Sequence, residues 1–196
     1  MKKIYFICSL WIVFLAACVP PDNTKVVEVN VDLTDPVTQR LFEFQDKRLT
    51  DSLVRYITSE NPTYRYLAAR AFGSVQDSTV LEKLGRLLRD ESEDVRVVTA
   101  FAIGQIGSQK GERILLGGFD KNDSLLTHQE SNATILESIG KCGGIESLKN
   151  IAHISTYNPT DTILLEGQAL AIYRFGARQI SSPEGTAKMV GFVINE

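Results

Sequence analysis

Residues 95–107 read VRVVTAFAIGQIG, and residues 64–76 read YRYLAARAFGSVQ, which is nearly the same pattern thirty-one positions earlier. Weaker copies follow, and all of them align on a glycine near the end of the pattern. The aligned glycines are Gly73, Gly104, Gly140 and Gly176, at spacings of 31, 36 and 36 residues. Self-similarity at a period of this length indicates a repeat architecture, in which one small unit is copied along the chain.

The apolar residues before each glycine predict a helix. Apolar side chains stand one and four positions before the glycine in every copy, and this spacing lies on one face of a helix. They are Phe72, Ile103, Ile139 and Phe175, together with Ala69, Ala100, Leu136 and Ile172. We predict that each glycine lies just beyond its helix, at the C′ position, where a left-handed backbone costs glycine nothing in steric terms.

A shorter helix precedes each of these longer helices. Leucines and isoleucines recur at helical spacing over residues 50–60, 77–90, 111–120 and 144–154. The longer helices begin at cap residues such as Asn61 and Ser92, and Ser182 opens a fifth first helix. The unit is therefore a pair of helices repeated about four times, because one pair cannot bury its apolar face alone. We expect an all-α fold, an α-solenoid wound as a right-handed superhelix.

The pairs resemble short HEAT repeats, of the kind named for phycobilisome-lyase-type proteins, over roughly residues 49–196. The copies at residues 64–73 and 95–104 carry this resemblance. The resemblance implies that Arg65 and Arg96 belong to a ladder of side chains that satisfies the turns between repeats. The alternative for these two arginines is a solvated surface charge, since arginine is mostly exposed in proteins.

The N-terminus has the features of an export signal. Two lysines precede an apolar run at residues 4–17, which is too short to span a bilayer comfortably. The run ends in Leu15, Ala16, Ala17 and Cys18, a sequence that resembles the lipobox of bacterial lipoproteins. The alternatives are an ordinary secretory signal or a short membrane anchor.

The lipobox resemblance implies cleavage before Cys18 and lipid on the sulfur and the amine of that residue. The lipid would tether a repeat body to the bacterial cell envelope. Val19 and Pro20 do not resemble the common inner-membrane retention signal, which favours the outer membrane, facing the periplasm.

Three segments follow from these patterns. We assign residues 1–17 to a signal peptide, residues 18–35 to the lipidated cysteine and an extended tether, and residues 36–196 to the HEAT-like domain, whose last repeat is incomplete. Apolar and polar residues alternate over residues 27–33, so a short strand is possible there, although no second strand is visible to pair with it.

The composition and the residue pattern indicate no catalytic or metal-binding site. The chain is 43% hydrophobic and 23% charged, with a formal net charge of −3 and no basic face of the kind that binds nucleic acid. His128 and His153 fall on different repeats, and Cys142 is the one cysteine outside the export region. The acidic run at residues 90–94 is predicted to support a helix start rather than to bind calcium. We predict no catalytic, cofactor or metal site, and no small-molecule substrate.

These features favour a lipid-anchored scaffold that binds an unidentified protein along the concave row of second helices. One alternative is that the chain is the repeat domain of a larger prolyl isomerase, because similar repeats precede a cyclophilin-type domain in some bacterial lipoproteins. Apolar residues at positions 189–194 have no following helix to cover them, which suits this alternative unless they fold back on the last pair. A stop codon after Glu196 would remove it. A third possibility is a structural spacer.

Overall fold

The computed structural model describes residues 28–155 and 161–194, and within them every regular element is a helix. The α-helices are α1 (Pro36–Asp46), α2 (Thr50–Val54), α3 (Pro62–Val75), α4 (Leu81–Arg86), α5 (Glu93–Ile106), α6 (Gln109–Gly118), α7 (Gln129–Cys142), α8 (Ile145–Ala152), α9 (Thr162–Ala177) and α10 (Pro183–Ile194). Single 3-10 turns flank α4 on both sides. The predicted signal peptide, lipobox and Cys18 lie outside the described residues.

The helices form the predicted pairs. We call α2, α4, α6, α8 and α10 the first helices, and α3, α5, α7 and α9 the second helices. The second helices stack side by side in chain order, and α1 packs on α3 at the N-terminal end of the row. Their buried apolar side chains join those of the first helices in one continuous core. The prediction of an all-α solenoid is thereby confirmed.

The aligned glycines do not end their helices, so the prediction of a C′ position for them was wrong. Each lies within the last turns of a second helix, and none of them has a positive φ. In α3 and α5 the left-handed residue comes three positions later, at Gln76 with φ 56° and at Gly107 with φ 70°.

The aligned glycines instead let neighbouring second helices approach each other closely. A Cβ atom on Gly104 would lie 2.7 Å from the side chain of Ser138, and one on Gly140 would lie 2.6 Å from the carbonyl oxygen of Ala171. A Cβ atom on Gly176 would meet nothing within 4 Å, since α9 is the last second helix in the described part of the chain. Gly104 and Gly140 therefore lie where their helix contacts the second helix of the next repeat.

The predicted helix caps are mostly present. Asn61 caps α3 through its side chain, and the Ser182 hydroxyl accepts the N–H of Gly185 in the first turn of α10. Ser92 precedes α5 as predicted, but its side chain makes no cap bond. The N–H of Ser92 itself donates to the carboxylate of Asp90 at 3.0 Å.

The described end of the tether lies against the repeat body. The N–H of Asn30 donates to the Thr63 hydroxyl at 3.0 Å, and that hydroxyl donates back to the Asn30 carbonyl at 3.1 Å. Residues 28–35 contain no strand, while Val27 lies outside the described residues. Asn30 is therefore held against the start of α3 by hydrogen bonds.

Candidate protein-binding surface

Arg65 lies between two successive turns of the solenoid. Its Nη1 donates to the carbonyls of Ser59 and Glu60 in the turn before α3, at 2.8 and 3.0 Å. Its Nε and Nη2 donate to the two carboxylate oxygens of Asp90 in the next turn, at 2.7 and 2.8 Å, and form an ion pair with it. The hydrogen bonds and charge of Asp90 raise the pKa of Arg65 above its ordinary value. The side chain is 9% exposed, so a solvated surface charge does not describe it.

Arg96 repeats this arrangement one unit later. Its Nη1 donates to the carbonyls of Asp90 and Glu91, at 2.7 and 3.3 Å, which are again the fifth and sixth residues before the arginine. Its Nη2 donates to the Thr127 carbonyl in the following turn, at 3.0 Å. The two arginines thus satisfy the carbonyls of three turns, which otherwise lack partners in the helices.

Two further members of this ladder were missed from the sequence. Asn132 and Gln168 occupy the position eight before the aligned glycine, where the earlier repeats have arginine. Both are nearly fully buried. The Asn132 amide exchanges two hydrogen bonds with the backbone of Asp120, and the Gln168 amide donates to the carbonyls of Ile151 and Ile154. A polar residue recurring at one aligned position was the signal that could have revealed them.

The outward side of the second helices carries a stripe of accessible side chains. We define the outer stripe as the residues three before and one after each aligned glycine, all of which are at least partly exposed. The outer stripe comprises Arg70, Ser74, Phe101, Gln105, Glu137, Lys141, Tyr173 and Ala177. It runs across α3, α5, α7 and α9, along the row of second helices predicted to bind a partner.

A shallow groove of about 480 Å³ crosses the middle of the outer stripe. Phe101 and Gln105 of α5 line one side, Glu137 and Lys141 of α7 lie in the centre, and Arg174 of α9 closes the other side. Glycine backbone from the end of α5 contributes to the lining, so another chain can approach closely there. Phe101 is 39% exposed, so an apolar side chain of another molecule can reach its ring from solvent.

Glu137 links the two cations of this groove. Its Oε1 accepts from Lys141 Nζ at 3.1 Å and from Arg174 Nε and Nη2 at 3.2 and 3.0 Å. Burial raises the pKa of Glu137, but the hydrogen bonds and charges of Lys141 and Arg174 outweigh that effect, so its pKa lies below the ordinary value. The Lys141 ammonium also lies 4.9 Å from the centroid of the Phe101 ring, within range of a cation–π interaction. The groove is therefore charged and held in a fixed arrangement at neutral pH.

The Cys142 thiol and the acidic run at residues 90–94, which the sequence offered as candidate chemical groups, both make contacts within the fold. The Cys142 thiol is half-buried and lies 3.3 Å from the Ser138 carbonyl, and burial raises its pKa to about 11. The thiol therefore stays protonated and unreactive at neutral pH. The acidic run at residues 90–94 has two roles. Asp90 forms an ion pair with Arg65, and Glu93 and Asp94 lie in the first turn of α5. Over residues 28–155 and 161–194, no cluster of three His, Cys, Asp or Glu side chains could hold a metal ion.

The C-terminal end of the described solenoid is partly covered and partly open. Met189 and Phe192 of α10 pack against the core, which matches the expectation of a last helix that folds back. Val190, Val193 and Ile194 on the same helix remain exposed. Helix α10 therefore folds back on the last pair with part of its apolar surface and leaves the rest of that surface exposed.

The geometry agrees with a comparison against protein families. Residues 48–133 match the family of HEAT repeats. The matched segment runs from α2 into α7 and includes both arginines of the ladder, and it covers less than half of the chain. No curated protein matches the sequence. Among the described helices, none combines the length and the apolar character that crossing a bilayer requires.

Proposed function

We propose that this chain is a lipid-anchored scaffold that binds protein through the outer stripe of its HEAT-like solenoid. The observation that carries the proposal is the exposed Phe101 ring beside a fixed pair of cations, on the side of the repeats that does not face the core. Aromatic and arginine side chains dominate the energetics of protein interfaces. HEAT-like stacking also builds an extended surface, which suits recognition of another chain better than conversion of a small substrate.

A photo-reactive amino acid placed at one residue tests the proposed surface. We expect benzoylphenylalanine at position 101 to form discrete protein adducts on irradiation of intact cells that produce the chain. Leu116 on α6 is the matched control, because it is 43% exposed and lies on a first helix. Equal adducts at positions 101 and 116, or none at either position, would count against an interaction scaffold on this face.

The anchor is a separate part of the proposal, supported by the sequence at Leu15, Ala16, Ala17 and Cys18. We expect the native chain to incorporate labelled palmitate in bacterial cells and the Cys18→Ser variant to lose all of this label. Cys142→Ser is the control and keeps the label, because the Cys142 thiol is half-buried and protonated. Labelling that persists in Cys18→Ser would refute lipidation at this residue.

A further inference from the structure

The charge of the outer stripe differs from that of the chain as a whole. The chain has a formal net charge of −3. The outer stripe together with Arg174 contains three cations, Arg70, Lys141 and Arg174, and one carboxylate, Glu137. The stripe and Arg174 together therefore carry a formal charge of +2 on an acidic protein, which favours a ligand of the opposite sign.

The central groove has donors to offer a second carboxylate. Glu137 engages two of the five N–H groups of the Arg174 guanidinium and one of the three on the Lys141 ammonium. One carboxylate between two cations leaves a net charge of about +1 on the described groove residues. The side chain of Arg174 is 43% exposed, so a carboxylate from solvent can reach it without displacing Glu137.

An apolar contact lies beside these donors. Phe101 borders the same groove, and its exposed ring is large enough to take one apolar side chain of a ligand. The groove continues from α5 to α9, across three successive second helices. An extended peptide fits this shape, because its side chains contact several helices in turn.

We propose that the groove formed by Phe101, Glu137, Lys141 and Arg174 binds an extended acidic peptide segment of the partner protein. A carboxylate of the segment bonds Lys141 and Arg174, and an adjacent apolar side chain covers the Phe101 ring. Glu137 holds the two cations in position for this contact. This inference rests on the proposed function and names the chemistry of the partner.

Two steps test the composition of the ligand. The full-length chain in detergent is used to select peptides from a random twelve-residue library displayed on phage. We expect the selected peptides to be enriched in Asp and Glu next to Leu or Phe. The best peptide and a twin with lysine at each acidic position are then compared by fluorescence anisotropy. We expect the acidic peptide to bind at least about tenfold more tightly than its twin, and this preference to decrease as salt increases.

Charge reversal locates the peptide on the protein. The double variant Lys141→Glu/Arg174→Glu is expected to bind the acidic peptide at least about tenfold more weakly than the native chain does. Lys83→Glu/Lys110→Glu makes the same change in charge on the first helices, where both lysines are exposed, and is expected to keep native affinity. If the double variant melts at a lower temperature than the native chain, Phe101→Gln provides the same comparison with all charges kept, and weaker binding is again expected.

The outcomes separate this inference from the proposed function. Selected peptides of neutral or basic composition would overturn the inference, as would equal affinities of the two charge-reversed variants for the acidic peptide. Adducts at position 101 would still support a scaffold in either case. Failure of the scaffold itself is indicated by equal adducts at positions 101 and 116, or by none.

Discussion

Replacing Arg65 by methionine is expected to lower the free energy of unfolding by about 3–5 kcal/mol, the usual cost of removing one partner from a buried ion pair. The substitution leaves the Asp90 carboxylate, which is 6% exposed, without its opposite charge. It also removes the donors for the Ser59 and Glu60 carbonyls. Urea denaturation followed by circular dichroism measures the effect.

Arg70→Met is the control for this substitution. Arg70 lies on the same helix with its side chain exposed, so we expect a change within about 0.5 kcal/mol. A loss below about 1 kcal/mol for Arg65→Met would show that water replaces the guanidinium, and that the ladder contributes little to stability.

Gly140→Ala is expected to destabilise the fold by about 3 kcal/mol, at the upper end of the cost of overpacking a core. The new methyl carbon would lie 2.6 Å from the carbonyl oxygen and 2.8 Å from the Cα of Ala171. Both atoms belong to the backbone of α9, so the two helices must move apart. Thermal and urea unfolding measure the loss.

Gly176→Ala provides a matched control at the equivalent position of the last second helix. No atom lies within 4 Å of the added methyl group, and alanine favours a helix more than glycine does. We therefore expect a gain of about 0.5 kcal/mol. If both alanine variants were equally stable, the aligned glycines would not be packing contacts between repeats.

The sequence pattern was sufficient to predict the helix pairs and their order, and the resemblance to HEAT repeats implied the ladder in which Arg65 and Arg96 lie. The recurrence of apolar residues at helical spacing reflects only the burial of one helix face, so it is visible within a short stretch of sequence. The role of the aligned glycines could not be read in this way. A glycine near the end of a helix satisfies the pattern of a left-handed cap, and only the position of the neighbouring helix shows that Gly104 and Gly140 are contacts.

The candidate site was only partly predictable for a related reason. The sequence pattern predicted the row of second helices as a contact surface, because stacked repeats create an extended concave surface. It did not place Phe101 beside Lys141, or Glu137 beside Arg174, since these residues belong to different repeats. The alignment places Asn132 and Gln168 at the arginine position, but their residue types did not reveal a shared role, because side chains of different chemistry perform the same bonding.

The ladder has a direction along the chain, and this sets an order for maturation. Arg65 and Arg96 bond to residues 25 and 31 positions ahead of them, so neither can complete its bonds until the start of the next pair has been synthesised. Asn132 and Gln168 bond only backward, to residues that emerge earlier. The ladder bonds of the early repeats are therefore complete only after their successors are made, whereas those of Asn132 and Gln168 can form as soon as their own second helix is made.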